Sequence, residues 1–204
     1  MDPNMNTLLS SILNDVLIGS GDSDKHLLTL FSIAVSLGAK NILELGVRDG
    51  KTTLPLLMAA KINSGKVTSI DINDTTFNPP DDLKNLLEFK QIDALEYLEN
   101  VNKKEVFDLI YIDDWHAYKH VKKELDYIDK IVSPKSIILL HDLMYGNHVP
   151  HYHSDLTLKD GQWAEGGPYR AVAELNPQFW EFSTIPVNNG LTILRKKYTN
   201  LYHS

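Results

Sequence analysis

Carboxylates recur at one kind of place in this chain, the polar residue that closes an apolar run. Glu44 and Gly46 close "NILELG", Asp71 closes "KVTSID" and Asp93 closes "EFKQID". Asp113 and Asp114 follow "DLIYI", and His141 and Asp142 follow "SIILL". Paired aspartates can hold a hard divalent cation, and single ones can orient hydroxyl or amino groups of a ligand. His116, just beyond the Asp-Asp pair, has an ordinary pKa suited to proton removal near neutral pH. The plainer reading is that strand ends and helix starts need polar caps. Asp114 is assigned to that role, as a cap of the following helix rather than a ligand.

The elements that would position these residues alternate. Apolar runs at 41–46, 66–72, 88–93, 107–113 and 136–142 read as strands, the last two apolar almost throughout, as buried parallel strands are. Helical patterns fill 5–17, 24–37 (opened by Ser23 or Asp24) and 51–63, with further helices from Ala94 and near 168–175. Tyr118, Val121, Leu125, Ile128 and Val132 mark one face of another helix. "FWEFSTIP" and "GLTILRK" lie too close in sequence to enclose a crossover helix, so they pair antiparallel. The pattern predicts an α/β domain: a doubly wound, Rossmann-like, mainly parallel seven-stranded sheet with an antiparallel C-terminal strand. Two N-terminal helices (1–37) pack on a single domain spanning 38–204. In such sheets ligands bind at the carboxyl ends of the strands, which is where the carboxylates fall.

The loop "ILELGVRDGKTT" carries the most information about the ligand. Gly46 and Gly50 enclose three residues, one short of a phosphate-binding loop. Arg48 stands where a dinucleotide loop has its second glycine. Glu44 and Asp49 flank the loop, and Asp71 and Asp93 face it, so phosphates are repelled. A ligand with a ribose diol, an amino group and a positive centre suits the site, and S-adenosylmethionine is one. Lys51 reads as a solvated side chain in the first helical turn.

These motifs resemble those of class I S-adenosylmethionine-dependent methyltransferases, particularly the small O-methyltransferase branch. "LELGVRDGKTT" looks like the branch's Glu-x-Gly-x-x-x-Gly-x-Ser/Thr loop, and "YIDDWHAY" like its Ile-Asp-Gly-x-His-x-Tyr, with Asp114 in place of glycine. "SPKSIILLHDL" is similar to its Ser-Pro-Gly-Gly-x-Ile-x-x-His-Asp segment, with Lys135 and Ser136 replacing the glycines. The resemblance implies cofactor binding by Glu44, Gly46, Gly50, Thr52, Asp71 (ribose), Asp93 (adenine side) and Asp113. It implies a divalent cation, Mg2+ by default, on Asp113 and Asp142. His141 is the third candidate ligand, and Mn2+ or Fe2+ would suit that imidazole better. His116 takes the place of a general base, so His116 and Asp113 are the catalytic candidates. The acceptor is a small hydroxylated molecule.

Composition bounds the rest. The chain has 204 residues, a net charge of −7, 43% hydrophobic residues and no cysteine. This fits a soluble cytoplasmic protein with no disulfides, no broad nucleic-acid surface and no membrane span. The 145–167 stretch is a candidate lid, offering His148, His151, His153 and Trp163 to the acceptor. The leading helices cover the site or form a homodimer interface. Two other readings carry weight: a methyltransferase-like scaffold without chemistry, and an NAD-dependent oxidoreductase using the Tyr118-x-x-x-Lys122 pair.

Overall fold

A computed structural model describes residues 3–145, 149–150, 161 and 163–198. Seven strands form one sheet: β1 (Asn41–Leu45), β2 (Lys66–Asp71), β3 (Leu87–Gln91), β4 (Leu109–Ile112), β5 (Ile137–His141), β8 (Trp180–Ile185) and β9 (Leu191–Lys196). Their order is β3-β2-β1-β4-β5-β9-β8. β1 to β5 are parallel, and β9 runs antiparallel between β5 and β8. A short hairpin, β6 (Met144–Tyr145) and β7 (Val149–Pro150), stands apart. This is the doubly wound, Rossmann-like sheet expected, including its single antiparallel C-terminal strand.

Helices cover both faces, and the strand residues divide between them with period two. Ile42, Val67, Leu109, Tyr111 and Leu139 pack with α1 (Pro3–Ile18), α2 (Leu27–Leu37) and α3 (Thr53–Asn63). Leu43, Leu45, Ile110, Ile112, Ile138 and Leu140 pack with α4 (Ala94–Asn100), α5 (Tyr118–Ile128) and α6 (Gly167–Ala173). The N-terminal helices thus complete the core: Met5, Ile12, Leu27, Leu30 and Ala34 are buried in it.

Four local expectations need correction. Residues 24–37 begin with a 3-10 turn (Asp24–His26), and Ser23 makes no side-chain cap bond there. Asp114 does not cap α5; Ala117 holds the N-cap position, with no side-chain cap. Its carboxylate instead meets His120 Nε2 at 3.0 Å. α5 ends at Ile128 rather than running to Val132. Strand β3 stops at Gln91, which frees Asp93 to cap α4 by accepting from the backbone N–H of Glu96 at 3.1 Å.

The sheet reverses its winding between β1 and β4, and the chain crosses closely there. Gly46 adopts φ +90°, and a Cβ on it would lie 2.2 Å from the backbone oxygen of Asp113. No side chain escapes that clash by rotating, because the obstacle is backbone. Gly46→Ala is expected to destabilise the fold by about 1–3 kcal/mol or more, read as a lower urea midpoint by circular dichroism. An unchanged midpoint would show that the two strand ends can separate.

Candidate active site

The carboxyl ends of β1, β2 and β4 open onto a cleft of about 540 Å3, lined by Gly46, Asp71, Asp93, Asp113, Trp115 and His120 among others. Its volume suits a small ligand. A smaller recess of about 90 Å3 adjoins it, lined by Gly21–Asp24, residues 46–49, Lys51, Thr52 and Asp113. Gly46, Arg48 and Asp113 line both, so the two are adjacent. A hollow of about 550 Å3 lies among Lys122, Asp126, Trp180 and Lys196 and shares no lining residue with either.

The loop after β1 is held from below and from the side. Below it, Glu44 is fully buried and accepts hydrogen bonds from the hydroxyls of Thr52 (2.7 Å), Thr53 (2.8 Å) and Ser69 (2.6 Å). Thr52 therefore spends its hydroxyl on Glu44 rather than on the cleft. From the side, Asp71 accepts from the backbone N–H of Val47 (2.9 Å) and Arg48 (3.0 Å) through Oδ2, and of Asn73 (2.8 Å) through Oδ1. Burial opposes the charge on Asp71, but these N–H groups outweigh it and hold its pKa below the usual carboxylate range. Gly50, at φ +76°, closes the turn, with the Phe77 ring where a Cβ would stand. Lys51 is not a free surface cation. Its ammonium lies 2.8 Å from Asp24, whose side chain is buried.

Asp113 and Asp142 meet where β4 and β5 end, and two histidines bridge them. His141 Nδ1 lies 3.4 Å from Asp113 Oδ1 and 3.2 Å from Asp142 Oδ2. His116 Nε2 lies 3.5 Å and 3.1 Å from the same two oxygens. His116, His141 and Asp142 are thus brought together with Asp113, while Asp71 and Asp93 stand along the cleft. Trp163 stacks flat on His116, ring centroids 4.3 Å apart. His148, His151 and His153 lie outside the described residues.

The cluster has unmet demand. His116 Nε2, His141 Nδ1 and Asp142 Oδ1 are buried without an aligned hydrogen-bond partner among the described residues. His141 Nε2 lies 3.0 Å from the backbone oxygen of Asn188, which accepts its proton and leaves Nδ1 facing the carboxylates. Burial opposes charge on both histidines, yet the adjacent carboxylates raise both pKa values, that of His141 well above the imidazole range. Burial likewise opposes ionisation of Asp113, but His141 and His116 hold its pKa well below the carboxylate range. Either protons or a cation must balance two buried carboxylates. The atoms of Asp113, His141 and Asp142 lie within 4.8 Å of one another, as ligands of one ion would.

Sequence reasoning missed several members of this site. Ser23 Oγ donates to Asp113 Oδ2 at 3.1 Å, and the Tyr111 hydroxyl donates to the same oxygen at 2.8 Å. Tyr111 was findable, since it lies two residues before Asp113 on the same face of β4. Ser23 and the Asn188 carbonyl carry no such signal, because only the packing of distant segments brings them in. The Tyr118–Lys122 pair is not assembled as a redox dyad: Tyr118 donates to Glu174 at 2.6 Å, and Lys122 pairs with Asp126.

Burial pushes Glu44 up to about 7; the three hydroxyls pull against this, and the charge of Asp113 adds to it. A raised carboxylate pKa stabilises the fold below the unfolded value, near 4.5, and that contribution is lost as pH rises toward 7. The loss is about 3 kcal/mol at most. The wild-type chain should therefore lose more stability between pH 4.5 and 7.5 than Glu44→Gln in parallel urea titrations. Equal losses would show that Glu44 is not the titrating group.

Residues 43–143 match a family model described as a methyltransferase domain. Among solved structures, the chain is similar to an O-methyltransferase of Bacillus cereus in complex with SAH, S-adenosylhomocysteine (18% identity, covering 97% of this chain and 92% of that one, TM-score 0.67). It is similar to an O-methyltransferase of Streptomyces achromogenes involved in tomaymycin synthesis, in complex with SAM, S-adenosylmethionine (15%, 97% and 91%, TM-score 0.67). It also resembles a methyltransferase of the mycinamycin biosynthetic pathway, in complex with Mg, SAH and mycinamycin VI (15%, 99% and 57%, TM-score 0.67). No curated protein sequence matches. Residues 43–143 are thus similar to a methyltransferase domain, and the chain has the fold of the O-methyltransferases named above.

Proposed function

We propose that this protein transfers a methyl group from S-adenosylmethionine to a hydroxyl of a small molecule, assisted by a divalent cation. The observation that carries this reading is the double place of Asp113. It lines the same cleft as Asp71 and Asp93, and it belongs to the cluster with His116, His141 and Asp142. The SAM and SAH in two of the similar structures, and the Mg in a third, support the choice of ligands.

In this reading the nucleoside would be held in the larger cleft, by Asp71 on the ribose and by the Asp93 and Trp115 wall on the adenine side. The methionine end would lie in the smaller recess, lined by Gly46 and Thr52 among others, with Gly50 closing the turn against Phe77. Glu44 and Thr52 act through the loop they brace, one layer below the ligand. When bound, the sulfonium would supply an activated methyl group for in-line transfer to the acceptor oxygen, with the thioether as leaving group.

The cation would be held by Asp113, Asp142 and the Nδ1 of His141, where unpartnered atoms already converge. When bound, it would lower the pKa of the acceptor hydroxyl. The Asn188 carbonyl fixes the His141 tautomer such a ligand needs. His116 takes the acceptor proton at Nε2, and Trp163 fixes the plane of its ring. Asp142, 3.1 Å away, stabilises the imidazolium that forms.

Calorimetry with S-adenosylhomocysteine tests cofactor binding, and heat is expected with the wild-type chain. Absence of both heat and thermal shift would favour a scaffold without chemistry. Transfer of labelled methyl to a panel of small hydroxylated acceptors should fall at least 100-fold with EDTA or in Asp142→Asn. Full turnover under either condition would remove the cation from the mechanism.

The pH profile tests His116 separately. A base must be neutral to accept a proton. Activity should therefore rise with pH through a limb that reports loss of the His116 proton. His116→Gln should abolish that limb and lower kcat about 100-fold or more. The same limb persisting in the variant would assign it to another group.

A further inference from the structure

A second cluster of ligand-type side chains stands beside the cleft and is not used by the mechanism above. It comprises Asp114, from the segment after β4, with His120 and Glu124 one turn apart on α5. Glu124 is 0% exposed, and neither of its carboxylate oxygens receives a hydrogen bond among the described residues. Asp114 Oδ1 is equally unpartnered. Buried carboxylates left in this state are costly, and each needs an explanation. A helix side chain at this depth would ordinarily be apolar, like its neighbours Val121, Leu125 and Ile128.

The spacing supplies the explanation. His120 Nε2 lies 3.0 Å from Asp114 Oδ2 and 3.6 Å from Glu124 Oε1, and the three ligand atoms lie within 4.8 Å of one another. Ligands about 2.0–2.1 Å from a tetrahedral ion stand roughly 3.3 Å apart. With a neutral imidazole and two ionised carboxylates, the cluster carries a charge of about −2, which one divalent ion neutralises. One nitrogen and two oxygens make a donor set suited to zinc. Asp114 and His120 also line the cleft, so a fourth coordination position could open toward it.

We propose that Asp114, His120 and Glu124 bind a zinc-type divalent ion, separate from any ion on Asp113 and Asp142. Such an ion would tie the segment after β4 to α5 and stiffen that wall of the cleft. The inference rests on the geometry of this cluster and stands whether or not the first cation site is real.

Equilibrium dialysis of the full chain against Zn2+, followed by elemental analysis, tests it. His120→Gln and Glu124→Gln, each checked for folding by circular dichroism, should each bind one ion per chain fewer than the wild type. Asp113→Asn/Asp142→Asn should keep an ion that adding Glu124→Gln removes, and Zn2+ should raise the Tm of the former but not of the latter. Co2+ in that background should give a d–d spectrum that disappears with His120→Gln. Zn2+ stoichiometry unchanged in folded His120→Gln and Glu124→Gln would overturn the proposal, leaving a proton shared between His120 and the carboxylates. Loss of all metal in Asp113→Asn/Asp142→Asn would overturn this site while sparing the first. Loss confined to His120→Gln and Glu124→Gln would do the reverse.

Discussion

Two carboxylates of the same sign are forced together where β4 and β5 end. The parallel register sets Ile112 beside Leu140, so the residues that follow, Asp113 and then His141 and Asp142, emerge at the same edge of the sheet. Both aspartates are largely buried, and their repulsion must be met by positive or donating groups. Much of the surrounding structure answers that demand. His116 and His141 stand between them, and Tyr111 and Ser23 both donate to Asp113. Asp142 adopts φ +66°, held by its N–H donating to the Gly190 oxygen at 3.0 Å. The loop before β9 also supplies the Asn188 carbonyl that orients His141.

That same loop ties the N-terminal segment to the site. The Asn188 amide donates to the Gly21 oxygen at 2.9 Å and also to that of Asp22, and His26 Nε2 meets the Val187 oxygen at 2.9 Å. Segments far apart in sequence thus close around one charged centre. The leading helices therefore form part of the fold rather than an addition to it: their apolar faces complete one side of the core, and Ser23 reaches the site itself.

The loop after β1 follows a different logic, since its shape is set by hydrogen bonds within the protein. Glu44 pulls the start of α3 down through Thr52 and Thr53, and Asp71 fixes the turn at Val47 and Arg48. Donors and acceptors fixed in advance need no reorganisation when charge develops. On the far side of the cleft, consecutive residues divide the labour: Asp113 engages Ser23, Tyr111 and the two bridging histidines, and Asp114 meets His120.

The alternating apolar runs determined by themselves the doubly wound sheet, its antiparallel final strand and the row of acids at its carboxyl edge. Those features depend on periodicity and on strand direction, which are local. The spacing of Gly46 and Gly50 likewise marked a tight turn after β1, where both take positive φ. What each acid touches was decided only by the tertiary structure. Glu44 and Asp71 point into the loop they support, Asp93 caps a helix, and Asp114 turns to His120 because packing sets the rotation of each end. Ser23, Asn188 and Glu124 could not be read from spacing. Their partners lie in other segments or, for Glu124, at a depth where an exposed helical acid looks the same in sequence as a buried one.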